Sequence, residues 1–109
     1  MRISGRPLEI LLFLSNFPQE SFAGYSLSKS LGISSGTLYP LLVKLEEAGL
    51  LDSQWEDGDP QELGRPRRRY YKVNGQGIAA LNEKMRSIHP QFEPVVTGDP
   101  VINSVLGAK

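Results

Sequence analysis

A chain of 109 residues, 39% of them hydrophobic and none of them cysteine, has room for one modest core and excludes disulfides, thiolate metal sites and thiol redox chemistry. Twelve basic and twelve acidic side chains cancel, a balance that at first argues against nucleic acid, whose phosphates are held by Lys and Arg. The order of the charges argues the other way: Glu46, Glu47, Asp52, Glu56, Asp57, Asp59 and Glu62 follow one another with no base between them after Glu46, and Arg65, Arg67, Arg68, Arg69 and Lys72 come directly behind.

Arg2 and Arg6 ahead of an apolar run imitate a signal peptide, but Glu9 interrupts the run and no convincing cleavage site follows, so a helix is expected. No segment approaches the roughly 18 apolar residues of a membrane span, and the protein is expected to be cytoplasmic with no membrane partner. Pro7 suits a first helical turn, and Leu8 to Phe17 follow as a helix closed by Pro18. Leu8, Leu11 and Leu12 face differently from Ile10, Phe13 and Phe17, which places one side in the core and the other against a partner protomer. A second helix is expected over Gly24 to Leu31, with Leu27 and Leu31 inward and Ser26, Ser28, Lys29 and Ser30 on the remaining faces. Gly32 supplies a left-handed cap, Ile33 a buried plug and Ser34 the cap of the next helix, giving helix, tight turn, helix.

In the third helix Leu38, Leu41, Leu42 and Leu45 form one buried stripe that ends near Gly49. Gly36, Pro40, Val43, Lys44 and Glu47 fall opposite, flanked by Thr37 and Tyr39. Pro40 removes one helical hydrogen bond, so a kink or a tightened start is expected. Leu50 to Glu56 and Arg67 to Val73 predict two strands joined by a long polar tip with Asp57, Gly58, Asp59, Pro60, Gly64 and Pro66. Asn74 caps a fourth helix, residues 74–89, whose Ile78, Leu81, Met85 and Ile88 make a seam suited to helix pairing. Pro90 ends it. The division is therefore one domain over residues 1–89 and a Pro- and Gly-containing tail over 90–109 whose structure is left open.

The run GYSLSKSLGISSGTLYPLLVKLEEAGLLDSQWE, followed by GRPRRRYYKVNGQGIAAL, resembles the PadR family of transcriptional regulators over roughly residues 8 to 81. TLYPLLVKLEEAGLL and GRPRRRYY are the most specific stretches. The resemblance implies an α+β, mainly helical fold, a winged helix-turn-helix of three helices, a two-stranded wing and a C-terminal dimerisation helix. It also implies a homodimer, a repressor role and often a small-molecule effector. The chain departs from the family after the wing: Pro90 shortens the dimerisation helix, and Phe92 is the only aromatic residue beyond Tyr71, which speaks against a stacking drug pocket.

A helix in the major groove needs a small, polar N-terminal half, because its backbone approaches phosphates while side chains reach base edges. Ser35, Gly36 and Thr37 meet that need. Tyr39 suits a phosphate or a thymine methyl and Lys44 a phosphate or guanine, with Pro40 on the same open face. Ser34 and Ser35 have capping as an alternative role. Gly64, Arg65, Pro66 and Arg67 resemble the basic turn of an AT-hook, a shape drawn to narrow A·T-rich minor grooves. Pairing with the nearby acids is the alternative for these arginines. Strand alternation lets only one of Arg68 and Arg69 share the face of Arg67, and Arg68 is placed with the DNA-binding set. Tyr70, Tyr71 and Trp55 are expected in packing roles, Trp55 against the fourth helix or the partner.

The expected partners are thus double-stranded DNA and a second copy, paired through Leu8, Leu11, Leu12, Ile78, Leu81, Met85 and Ile88, with two recognition helices about 34 Å apart on an inverted repeat. No cofactor is expected. His89 is the single histidine and no triad or metal spacing surrounds it, so neither catalytic nor metal residues are assigned. Gly75, Gln76 and Gly77 lack the third glycine of a nucleotide loop. The rival reading is a winged helix that contacts only proteins.

Overall fold

The computed structural model describes residues 2–91, 93 and 94, so Phe92 and most of the tail, for which the sequence left the structure open, lie outside the described residues. The elements run α1 (Arg6–Ser15), β1 (Phe22–Ala23), α2 (Gly24–Leu31), α3 (Ser35–Glu47), β2 (Leu51–Trp55), α4 (Pro60–Leu63), β3 (Arg69–Val73) and α5 (Gly75–Ile88). The helix-turn-helix is α2 and α3, the wing is β2 and β3 with α4 at its tip, and the fourth helix expected from sequence is α5. Among the described residues no helix is long and apolar enough to cross a membrane.

Pro7 lies in the first turn of α1, where its missing N–H has no helical partner to lose. The helix stops at Ser15 rather than Phe17, because proline disfavours helical geometry in the residue before it and the chain turns ahead of Pro18. Phe17 thereby leaves the helix and meets Phe13 and Phe22, the ring centroids of the three being 5.3 to 5.9 Å apart. Ile10, Leu11 and Leu14 are fully buried.

The turn between α2 and α3 forms as expected. Gly32 adopts the left-handed conformation (φ 67°), and the Ile33 N–H and Ser28 hydroxyl exchange hydrogen bonds with the Ser28 and Ile33 carbonyls at 3.2 and 2.5 Å. Ser34 is the N-cap in position only. Its carbonyl accepts from Leu38 N at 2.8 Å, while its hydroxyl bonds the Thr37 hydroxyl at 3.3 Å instead of a backbone N–H. Leu38, Leu42 and Leu45 are fully buried and Leu41 half-buried. Helix α3 continues through Pro40 as one element; the lost bond falls on the carbonyl of Gly36, an exposed residue. Its end is a Schellman motif, with Gly49 at φ 82° and hydrogen bonds from Gly49 N to Glu46 O (2.9 Å) and Leu50 N to Leu45 O (3.0 Å).

The sheet has three antiparallel strands in the order β1-β3-β2, one more than the sequence predicted. β1 is two residues long and pairs Phe22 with Tyr71 and Ala23 with Tyr70. β2 pairs with β3 from Leu51↔Val73 to Trp55↔Arg69. Both wing strands are shorter than expected. The tip is not irregular either: Asp59 accepts from Gln61 N at 3.0 Å, Pro60 opens the single turn of α4, and Gly64 closes it at φ 73°.

Asn74 caps α5 by accepting from Gly77 N at 2.8 Å, and its amide donates to Gly49 O and Asp52 Oδ1 at 3.0 and 3.1 Å. Leu11, Ile78 and Leu81 belong to the chain's own core, exposed by 0, 2 and 1%. That corrects their expected place at a dimer interface, because side chains packed in this way have no surface to give a partner. The seam on α5 is therefore divided: its first half packs inward, Met85 is half-buried, and Ile88 is open. On α1, Leu8 is half-buried and Leu12 exposed.

Gly77 lets α5 approach the chain at Leu50, since a Cβ there would collide with the Leu50 carbonyl oxygen and come within 2.8 Å of Val73. Gly75 faces open space. Gly77→Ala is expected to destabilise the fold by about 2 kcal/mol despite alanine's better helix propensity. Gly75→Ala is expected to stabilise it by about 0.5 kcal/mol. Chemical denaturation of the two variants beside the parent chain measures both.

Candidate nucleic-acid interface

The stripe of leucines that buries one side of α3 leaves the other in solvent. Ser35, Gly36, Thr37, Tyr39, Pro40 and Lys44 are all exposed. Ser35, Gly36 and Thr37 form the first turn, and Lys44 stands about 13 Å further along the axis at 1.5 Å per residue. Tyr39 has a structural role as well. A Cβ on Gly24 would lie 2.5 Å from a Tyr39 ring carbon and 2.7 Å from its phenol oxygen, so the ring rests on the bare backbone at the start of α2 and spaces the two helices.

The arginines of the wing separate into distinct environments. Arg65 donates from Nη1 and Nη2 to the two carboxylate oxygens of Glu56 at 2.6 and 2.8 Å, and from Nη1 to the Pro66 carbonyl at 3.2 Å. Such a bidentate pair fixes both partners. Arg65 thus closes the wing upon itself, which corrects the expectation of a free cation reaching for DNA; the alternative pairing with a nearby acid is the one realised. Arg67 is exposed and forms no ion pair among the described residues. Arg68 and Arg69 diverge as strand alternation requires. The Arg68 guanidinium lies 5.6 Å from the centre of the Tyr25 ring on α2. Arg69 reaches Glu46 at the end of α3 (3.3 Å) and lies 5.0 Å from the Trp55 ring centre. Ser53 donates to the same Glu46 oxygen at 2.6 Å, so β2, β3 and α3 are joined at one carboxylate.

Trp55 is 54% exposed and packs on Arg69 rather than on α5. With Pro60, Gln61, Arg65, Pro66 and Arg67 it lines an open depression at the wing tip. Tyr70 is half-buried and Tyr71 lies in the core, where burial raises the Tyr71 phenol pKa against the opposing pull of Arg69. Tyr25 carries no expectation from the sequence, and Lys29 only a place among the outer faces of the second helix. The available signal was their i, i+4 spacing, which sets them side by side on a helix: the Lys29 ammonium is 5.0 Å from the Tyr25 ring centre.

The exposed α3 face, the three-stranded sheet and the arginine-bearing hairpin define a winged helix-turn-helix protein. The chain belongs to the PadR-like family of transcriptional regulators, whose family model matches residues 17–83. It is similar to a PadR family transcriptional regulator from Eggerthella lenta DSM 2243 (31% identity, 94% of this chain and 81% of that one, TM-score 0.62). It is also similar to a PadR-like transcription factor from Bacteroides fragilis (25% identity, 94% and 87% covered, TM-score 0.64). The diamide-treated YodB of Bacillus subtilis shares the fold at 19% identity, with 84% and 87% covered and a TM-score of 0.60. No curated protein matches the chain.

Glu56 accepts from Arg65 and, through Oε1, from the Arg68 backbone N–H at 3.1 Å. First the Arg65 hydrogen bond and then that N–H bring its pKa from 4.5 to about 2. A lowered carboxylate pKa stabilises the fold fully above pH 4.5, and the contribution disappears as pH falls towards 2. A carbon-detected NMR titration should therefore show the Glu56 carboxyl titrating near 2, well below the ordinary glutamate value of 4.5. The Arg68 amide should shift with it, and in Glu56→Gln that amide should show no such acid transition.

Proposed function

We propose that this regulator binds duplex DNA sequence-specifically as a homodimer and acts as a repressor on an inverted-repeat operator, with α3 in the major groove and the wing on the adjacent backbone and minor groove. The observation that carries this reading is the fate of the charges. Glu56 and Glu46, two of the seven acids that precede the arginines, are engaged by Arg65 and Arg69, and the side chains of Arg67, Arg68, Lys29 and Lys44 are exposed and form no ion pair among the described residues. Tyr39 resting on Gly24, and Arg68 reaching Tyr25, gather α3, α2 and the wing around these cations. Local charge of this kind attracts phosphate although the net charge is zero.

Pairing of two protomers is assigned to the apolar residues that the core leaves over. Leu12 and Ile88 are 37% and 58% exposed on α1 and α5, with Leu8 and Met85 half-buried on the same two helices. A two-fold dimer presents its recognition helices about 34 Å apart, one turn of B-DNA.

Selection of preferred sites from random duplexes, followed by titration of the winner against scrambled DNA at two salt concentrations, tests the whole reading. The expected result is an inverted repeat preferred by about a thousandfold. Weak, uniform binding would favour a protein-contact module. Arg67→Ala should weaken all sequences and lower the salt slope by about one, with thermal stability unchanged. Arg65→Ala should lower stability as well, because it leaves Glu56 without its bidentate partner. In sedimentation, Leu12→Glu with Ile88→Glu should convert a dimer into folded monomers.

A further inference from the structure

From the position of Arg68 we infer a composite phosphate clamp, built by the wing and α2 together, in which the Tyr25 hydroxyl, the Lys29 ammonium and the Arg68 guanidinium hold one backbone phosphate in each half-site. The inference rests on the DNA-binding reading above and adds to it Tyr25 as a contact residue and one common phosphate for Tyr25, Lys29 and Arg68.

Strand register is the first support. β1 and β3 pair Phe22 with Tyr71 and Ala23 with Tyr70, and the chain enters α2 at the next residue, so Tyr25 in the first turn of α2 stands beside the start of β3. β2 and β3 pair Trp55 with Arg69, and one further step sets Glu56 opposite Arg68. Arg68 is therefore the residue just ahead of β3, where the β1 pairing has already ended at Tyr70 and the β2 pairing closes with Glu56. Its backbone is held on the β2 side, where Arg68 O accepts from Glu56 N at 2.8 Å and Arg68 N donates to Glu56 Oε1 at 3.1 Å. Its side chain extends to the other side, towards Tyr25. A guanidinium anchored at its backbone and steered by an aromatic ring loses little freedom on binding.

The second support is chemical. Tyr25 is 51% exposed and flanked by two cations, Lys29 at 5.0 Å and Arg68 at 5.6 Å from the ring centre. Neither cation is paired with an acid side chain among the described residues. Glu56, the carboxylate near Arg68, is matched by Arg65. Contact with Lys29 first, and the charge of Arg68 to a lesser extent, lower the Tyr25 phenol pKa, which strengthens the hydroxyl as a donor to an anion. Two cations and one O–H donor gathered at one exposed ring suit a singly charged phosphodiester. The first helix of a helix-turn-helix crosses the DNA backbone, so the phosphate of the duplex is the anion this place would meet.

Single methylphosphonate substitutions, each removing one backbone charge, placed in turn along the selected operator test the clamp. For the parent protein one position per half-site should cost about tenfold in affinity. In Lys29→Gln and Arg68→Gln the affinity for unmodified operator should fall by about that factor, the salt slope should drop by about one each, and the penalty at that one position should vanish while those elsewhere persist. Tyr25→Phe keeps the ring on which both cations lie and should weaken binding with the melting temperature unchanged, which separates the hydroxyl's role from packing. A parent that selects an operator while all three variants bind it normally, or keep the parent's methylphosphonate profile, would overturn the clamp and leave the DNA-binding reading standing. A parent that selects no operator would overturn both.

Discussion

The start of α2, the exposed face of α3 and the wing all depend on the pairing of β3 with two neighbours at once. The strand sits between β1 and β2, and Tyr71 and Val73 anchor it in the core. β1 leads without a break into α2, and β2 follows the glycine turn that ends α3. One strand therefore sets the start of α2, the exit of α3 and the direction of the wing. An isolated two-stranded hairpin is marginal in water; the short third strand, and the Glu46 carboxylate shared by Ser53 and Arg69, connect this one to the helical body. The wing is thereby joined to α3 through strand pairing and a shared carboxylate.

The same pairing explains how a chain of zero net charge presents a basic surface. Of the acids that precede the arginines in sequence, Glu56 on the hairpin takes Arg65 and Glu46 at the end of α3 takes Arg69. These contacts orient the wing and neutralise two carboxylates beside the exposed cations. Arg65 and Arg69 thus serve the structure, and in the proposed function the exposed cations Arg67, Arg68, Lys29 and Lys44 supply the attraction. Exchanging the roles of Arg65 and Arg67 would give the same composition and a different surface.

Most of the helical framework was legible from sequence because its signals are local and redundant. The leucine stripe of α3, the Gly32 and Gly49 caps and the Asn74 cap each mark a boundary by chemistry that needs no tertiary partner. β1 was not legible, since two residues carry no period and Phe22 and Ala23 become a strand only by pairing with Tyr71 and Tyr70. Helix α4 had an Asp-Pro start and a Gly stop, but the same residues also spell a turn. The division of the α5 seam was hidden because Ile78, Leu81, Met85 and Ile88 share one spacing, and only the docking of α1 decides which of them are covered. At the site, the exposed face of α3 followed from helical geometry alone. The fates of Arg65 and Tyr25 did not, because each depends on a register between strands that the sequence does not state.

The most direct test of a recognition helix and wing acting as one unit is a paired footprint on the selected operator, with guanine N7 methylation reporting the major groove and hydroxyl-radical cleavage reporting the backbone along the minor groove. Two protected major-groove patches about one helical turn apart, each flanked by its own protected minor-groove stretch and related by two-fold symmetry, are the predicted result. Protection of the backbone alone, without a major-groove patch or a two-fold pattern, would contradict it.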